Sequence, residues 1–163
     1  PESCDANPLG KQWFSIDHED FNNMSKGLLK AKLDLTNFIK QQLKKYSLNQ
    51  DQFIIVGFSQ GTMLALNIAL TMQCMGVIGY SGAYIKTPLD HIIPKNNILL
   101  IHGENDDIVP LKRMNEAAKE IEKYSQSITT HVCKKLGHSI DQEGLKLAEE
   151  FITKKLQKEI HDE

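Results

Sequence analysis

Apolar residues recur along this chain in two rhythms, and the switches between them mark out its elements. From Phe21 to Tyr46 the positions Phe21, Met24, Leu28, Ala31, Leu35 and Phe38 fall alternately three and four apart, with Leu43 and Tyr46 extending the stripe. That is the spacing of an amphipathic helix. Asp17, Glu19 and Asp20 before it, and Lys44 and Lys45 at its end, give the charge asymmetry the helix dipole favours. The repeat is too short for a coiled coil, so the stripe is expected to pack on a sheet. Gly27 lies inside it at a cost of about 1 kcal/mol relative to Ala, which predicts a close approach there.

Phe53 to Phe58 breaks the helical rhythm with a short β-branched and aromatic run, followed by a turn and an apolar helix-forming run from Met63 to Leu70. Gly76 to Gly82 reads as a second strand. Ile98 to Gly103 is continuously apolar, as expected of a strand buried on both faces of a parallel sheet. Pro110 opens a helix expected over Leu111 to Tyr124, with Leu111, Met114, Ala118 and Ile121 on its inner side. Ile128 to Lys134 reads as the last strand. Ser139-x-x-Gln142 then forms a capping box before a final helix whose inner face is expected to be Leu145, Ala148, Ile152 and Leu156. Pro1 to Lys11 should be irregular, and the charged run from Lys154 should fray. Ala83 to Asn97, with Pro88 and Pro94, is expected to be a loop. Its Tyr84, Ile85, Leu89, Ile92 and Ile93 suit either a flap over an apolar pocket or packing on the body. Helices alternating with strands in this order predict an α/β fold: a parallel sheet with helices on both faces, binding ligands at the strands' carboxyl ends.

Composition narrows the classes. The 163 residues fit one domain spanning 1–163, long enough to bury a substantial core. A net charge of −2 gives no electrostatic case for nucleic acid or an anionic membrane. No apolar run approaches the roughly 20 residues needed to span a bilayer. Cys4, Cys74 and Cys133, an odd number without C-x-x-C spacing, argue against a disulfide framework and for a reducing compartment, with cytoplasm as the expectation.

The turn after Phe58 carries the candidate chemistry. Gly57-Phe58-Ser59-Gln60-Gly61 between a strand and a helix has the form of a nucleophile elbow, in which a strained backbone exposes the serine Oγ. Gly57 and Gly61 are expected to clear space where strand and helix approach. The Gln60 N–H, at the helix start, is a ready oxyanion donor. Ser81, in Gly-Tyr-Ser-Gly, is read as structural because no amphipathic helix follows it. A serine needs an imidazole base and a carboxylate to orient that base. Glu104-Asn105-Asp106-Asp107 and Leu136-Gly137-His138 stand just beyond strand ends and supply both, in the order Ser, Asp, His. His18, His91 and His161 are expected to be solvated, and His102 structural. His131 and Cys133 share a strand face, but without a further spaced Cys or His pair no metal site is assigned. Trp13-Phe14 is either a hydrophobic anchor or one wall of a substrate pocket.

Gly57-Phe58-Ser59-Gln60-Gly61, Trp13-Phe14, His102-Gly103-x-x-Asp106-x-x-Val109-Pro110 and Gly137-His138 together resemble the carboxylesterase and acyl-protein thioesterase family, which includes phospholipase/carboxylesterases and lysophospholipases. The match covers essentially all of the chain. The resemblance implies an α/β-hydrolase fold, Ser59 as nucleophile, His138 as base and Asp106, rather than Asp107, as the orienting acid. It implies a cofactor-free hydrolase of esters or acyl-thioesters, with an acylated protein or a lysophospholipid among the candidate substrates. Thr62 departs from the family's usual glycine and is expected to narrow the site. Family members also carry, ahead of the segment matching Pro1 to Ile16, further strands and a loop that supplies a second oxyanion N–H. The expectation is that Phe53 to Phe58 becomes an unpaired apolar edge, that a protein starting at Pro1 is weakly active and associates, with a homodimer as one outcome, and that restoring the strands restores activity. The competing expectation is a module that keeps the scaffold, binds an acyl ligand or a partner and has lost the chemistry.

Overall fold

Alternating strands and helices of this kind can bury their apolar faces only by layering helices on a sheet, and a computed structural model has that arrangement. It describes residues 1–5, 7, 9–16, 21–88, 92 and 96–162, with backbone alone at 21, 22 and 158–162. At the start, where an irregular segment is expected, two short strands, β1 (Glu2–Ser3) and β2 (Lys11–Gln12), pair antiparallel instead. There follow helix α1 (Phe21–Tyr46), strand β3 (Ile54–Phe58), helix α2 (Gln60–Ala69), strand β4 (Gly76–Tyr80), strand β5 (Asn97–Gly103), helix α3 (Lys112–Ile121), strand β6 (Ser127–Cys133) and helix α4 (Gln142–Asp162). The strands β3-β4-β5-β6 form one parallel sheet in that order. Among the described residues β3 is therefore an edge, with Val56 59% and Phe58 39% exposed.

Strand alternation sends Val77, Ile98 and Leu100 to one face, where they pack with Leu66 and Leu70 of α2 and with Met114 and Ile121 of α3. Ile78, Leu99 and Ile101 point to the other face, against Ala148 and Phe151 of α4. α1 lies outside α2, joined to it through Leu28, Leu64 and Ile68. Each fully buried aliphatic side chain of this kind contributes about 1.5–3 kcal/mol. No helix among the described residues is long and apolar enough to cross a membrane, and Cys4, Cys74 and Cys133 are all free thiols.

Several expectations are corrected. The inner stripe of α1 leaves Phe38 (54% exposed) and Tyr46 (62%) outside and runs instead through Leu28, Ala31, Leu35, Ile39 and Leu43. Beyond Leu35 it advances in steps of four, because the helix turns every 3.6 residues and its contact line drifts. In α4, Leu145 (50%) and Leu156 (48%) face outward. The inward position is Gly144, where a Cβ would lie 3.3 Å from Ile101 and Tyr80 atoms. Asp141, not Ser139, caps α4, its Oδ1 accepting the Gly144 N–H at 2.8 Å. Helix α4 also continues to Asp162. The approach predicted at Gly27 is present: a Cβ there would stand 2.9 Å from Phe14 Cβ. In the loop after β4, Ile85 is buried and Thr87 Oγ1 donates to Asn67 Oδ1 at 2.8 Å, so its described part packs on the body. Asp17, Glu19, Asp20, His18, His91, Leu89, Ile93, Pro94 and the side chains of Phe21 and His161 lie outside the described residues.

Candidate active site

The β3 ladder runs one residue past the strand, with the Ser59 N–H donating to Tyr80 O at 2.8 Å. The chain then turns sharply. Ser59 takes φ 52° and ψ −115°, a region that costs a non-glycine residue on the order of 1–3 kcal/mol. The turn leads directly into α2, whose Thr62 and Met63 N–H groups donate back to Ser59 O at 3.0 and 3.2 Å. Gln60 opens that helix, so its N–H is one of the donors that have no acceptor within the helix. Gly57 is sterically required, since a Cβ would lie 2.5 Å from Gly61 C. Gly61 is not, as a Cβ there would meet nothing within 4 Å.

Two contacts brace the elbow that its motif does not advertise. The Gln60 side chain accepts from Trp13 N and donates to Phe14 O, both at 2.6 Å, tying the N-terminal segment to the start of α2. Thr62 is 1% exposed and its Oγ1 lies 2.9 Å from Gly57 O and 2.8 Å from Tyr80 O, spanning the ends of β3 and β4. Its side chain fills the space left by two glycines: a Cβ on Gly79 or on Gly82 would lie 2.5 Å from Thr62 Cγ2. The expected narrowing by Thr62 is thus replaced by packing beneath the elbow. The aromatic pair separates as well. Trp13 lines an open cleft with Ser59, Gln60, Lys11 and Leu35 along β3. Phe14 is 1% exposed within the core, so its ring is no wall of that cleft.

Asp106 and His138 come from turns stitched to each other. Glu104 N–H donates to Cys133 O at 2.9 Å and Asn105 N–H to Leu136 O at 2.8 Å. The Asp106 side chain is fully buried. Its Oδ1 accepts the N–H groups of Ile108 (3.0 Å) and Val109 (2.8 Å), and its Oδ2 accepts His138 Nδ1–H at 2.8 Å. Burial pushes this carboxyl up, but the hydrogen bond from His138, the two backbone donors and the attraction of the imidazole outweigh it and hold Asp106 below the usual carboxylate range. An ionised Asp106 accepts only, so in the neutral imidazole the proton of His138 sits on Nδ1 and Nε2 keeps its lone pair. Asp107 is exposed.

A second imidazole backs the carboxylate. His102 is 1% exposed, with Nε2 2.7 Å from Val109 O and 3.3 Å from Asp106 Oδ2. A carbonyl oxygen cannot donate, so His102 Nε2 carries its proton and turns it toward both acceptors. This fits the structural role expected of it. The His138 ring rests on Phe58, the residue before Ser59, with centroids 4.9 Å apart. Ser59 Oγ itself has no hydrogen bond to His138 among the described residues; contacts of this type commonly close only when substrate binds.

The fold and the elbow define the chain as an α/β-hydrolase. A phospholipase/carboxylesterase family model matches residues 1–156, and the chain belongs to that family. It is 24% identical to the Escherichia coli esterase YpfH over 97% of this chain and 68% of the relative. It is 29% identical to acyl-protein thioesterase 1 of Saccharomyces cerevisiae over 94% of this chain and 73% of the relative. Among solved structures, esterase PE8 superposes with a TM-score of 0.84 at 30% identity, over 94% of this chain and 74% of the other. Membership supports serine hydrolase activity of the carboxylic-ester class.

Proposed function

We propose that Ser59, His138 and Asp106 act as a catalytic triad on a carboxylic ester or an acyl-thioester. His138 Nε2 takes the Ser59 proton as Oγ attacks the carbonyl carbon, and the oxyanion meets the Gln60 N–H at the start of α2. Collapse expels the alcohol or thiol, which receives that proton from His138, and leaves an acyl-serine. Water enters, gives a proton to His138 as its oxygen attacks, and the acid product leaves with Ser59 re-protonated. Asp106, ionised and buried, holds the Nδ1–H tautomer that this sequence needs.

The observation that carries the reading is the Asp106–His138 hydrogen bond, with that imidazole seated on the aromatic ring next to a strained Ser59. Trp13, beside Ser59 in the cleft, is the candidate substrate contact. Labelling by a fluorophosphonate probe tests the proposal. The adduct is expected on Ser59, and labelling that persists in Ser59→Ala would end it. Parallel panels of p-nitrophenyl esters and acyl-thioesters distinguish the substrate classes.

A further inference from the structure

A second cluster lies behind the His138 turn, between β6 and the first turn of α4. A His131 ring nitrogen, Cys133 Sγ and a Glu143 carboxylate oxygen all lie within 4.8 Å of one another. His131 and Cys133 stand two apart on the strand and so share a face. That face meets α4: Cys133 packs with Ala148 and Phe151, and His131 Nε2 is 3.0 Å from Glu143 Oε1. A surface ion pair accounts for His131 and Glu143 and is worth little by itself. It does not account for a fully buried thiol within 4.8 Å of both partners of that pair.

We propose that His131, Cys133 and Glu143 form a zinc site that clips β6 to α4, with the fourth position of the ion left to water. Imidazole nitrogen, thiolate sulfur and carboxylate oxygen are the donor types zinc takes in tetrahedral sites, and a thiolate disfavours magnesium and calcium. With Zn–N and Zn–O bonds near 2.0–2.2 Å, tetrahedral neighbours stand about 3.3–3.5 Å apart. His131 and Glu143 are already near that separation at 3.0 Å. The distances to sulfur, within 4.8 Å, have to shorten on binding, and His131 and Glu143 are the partly exposed side chains that would turn to do so. Their side chains are 31% and 58% exposed, whereas Cys133 is 0%, so an ion enters from solvent past the first two and ends on the sulfur. Binding forms the Zn–S bond and releases the thiol proton to solvent. The ligands His131 and Cys133 on one side and Glu143 on the other flank Lys134 to Gln142, the segment that carries His138. Zinc would fix both ends of that segment without touching the imidazole.

The test uses the purified protein, stripped with chelator and titrated with Co²⁺ and then Zn²⁺. A single equivalent of Co²⁺ should give a thiolate-to-cobalt charge-transfer band with tetrahedral d–d absorption, displaced by Zn²⁺, and Zn²⁺ should raise the melting temperature. Cys133→Ser should abolish the charge-transfer band. His131→Gln and Glu143→Gln, at exposed positions that leave the core intact, should each weaken zinc binding by at least about tenfold. Absence of the band, its persistence in Cys133→Ser, or unchanged zinc affinity in the His131→Gln/Glu143→Gln double variant would each overturn the site.

Discussion

Ser59 and Ser81 occupy equivalent places in neighbouring strands. The register pairs Gly57 with Gly79 and Phe58 with Tyr80. Both serines take left-handed φ angles, 52° and 46°, and each N–H extends its ladder, to Tyr80 O at 2.8 Å and to Ile101 O at 2.9 Å. After Ser59 a helix begins at once and turns the residue to the cleft. Among the described residues no helix follows Ser81, which is 1% exposed, with an Oγ that has no hydrogen-bond partner. The preceding aromatic residues diverge as well: Phe58 carries the His138 ring, while Tyr80 is buried and donates to Gly144 O at 3.0 Å. A strained serine at a strand end is therefore not enough to make a nucleophile. The helix that follows and the imidazole held beside it separate the two.

If that contrast is right, Ser59→Ala lowers esterase turnover on the order of 10⁶-fold. Ser81→Ala leaves turnover within about twofold and does not lower stability, since the hydroxyl it removes is unpartnered. Steady-state kinetics and urea midpoints on both variants check this, and a large loss in Ser81→Ala would erase the distinction.

Asp106→Asn is expected to cost on the order of 10⁴-fold in kcat through loss of the Nδ1–H tautomer. It also changes the response to acid. A carboxyl held below its unfolded value of about 3.9 stabilises the fold fully above that value and loses the contribution as pH falls toward the lower folded one. The urea midpoint of the parent protein should therefore drop more between pH 6 and pH 3 than that of Asp106→Asn. Equal drops would mean that burial outweighs the hydrogen bonds at this carboxylate.

Beneath the elbow, Thr62→Gly should cost about 1–3 kcal/mol by emptying a packed, hydrogen-bonded position. Gly82→Ala should be destabilising because its Cβ would meet the Thr62 side chain, and it should be relieved in the Thr62→Gly background. A coupling of at least about 0.5 kcal/mol in the double-mutant cycle is expected; additive effects would show that the two positions do not share that space.

The smallest effect separates the strands themselves, since β4 has two neighbours and β3 has one among the described residues. Val56→Lys, on the exposed edge, should shift the urea midpoint within about 0.5 kcal/mol.

By itself the sequence determined the order of strands and helices from α1 onward, the placing of Ser59 between β3 and α2, and the short set of carboxylates and imidazoles from which a base and its partner could come. These are local properties: hydrophobic period, turn residues and motif spacing depend on near neighbours along the chain. The tertiary structure alone decided which side of each element is covered. It put Ile39 inward in place of Phe38, hid the inner face of α4 behind Gly144, which no hydrophobic count detects, and moved the cap to Asp141. It separated Trp13 from Phe14, joined Gln60 to the backbone of both, and fitted Thr62 to two distant glycines. Among the residues themselves Asp106 and Asp107 looked alike, and only the family resemblance preferred one. The geometry distinguishes them because only Asp106 lies buried within reach of His138. Those outcomes depend on contacts between residues far apart in the chain, where the partner's shape and the exclusion of water set the energy, and a linear pattern carries neither.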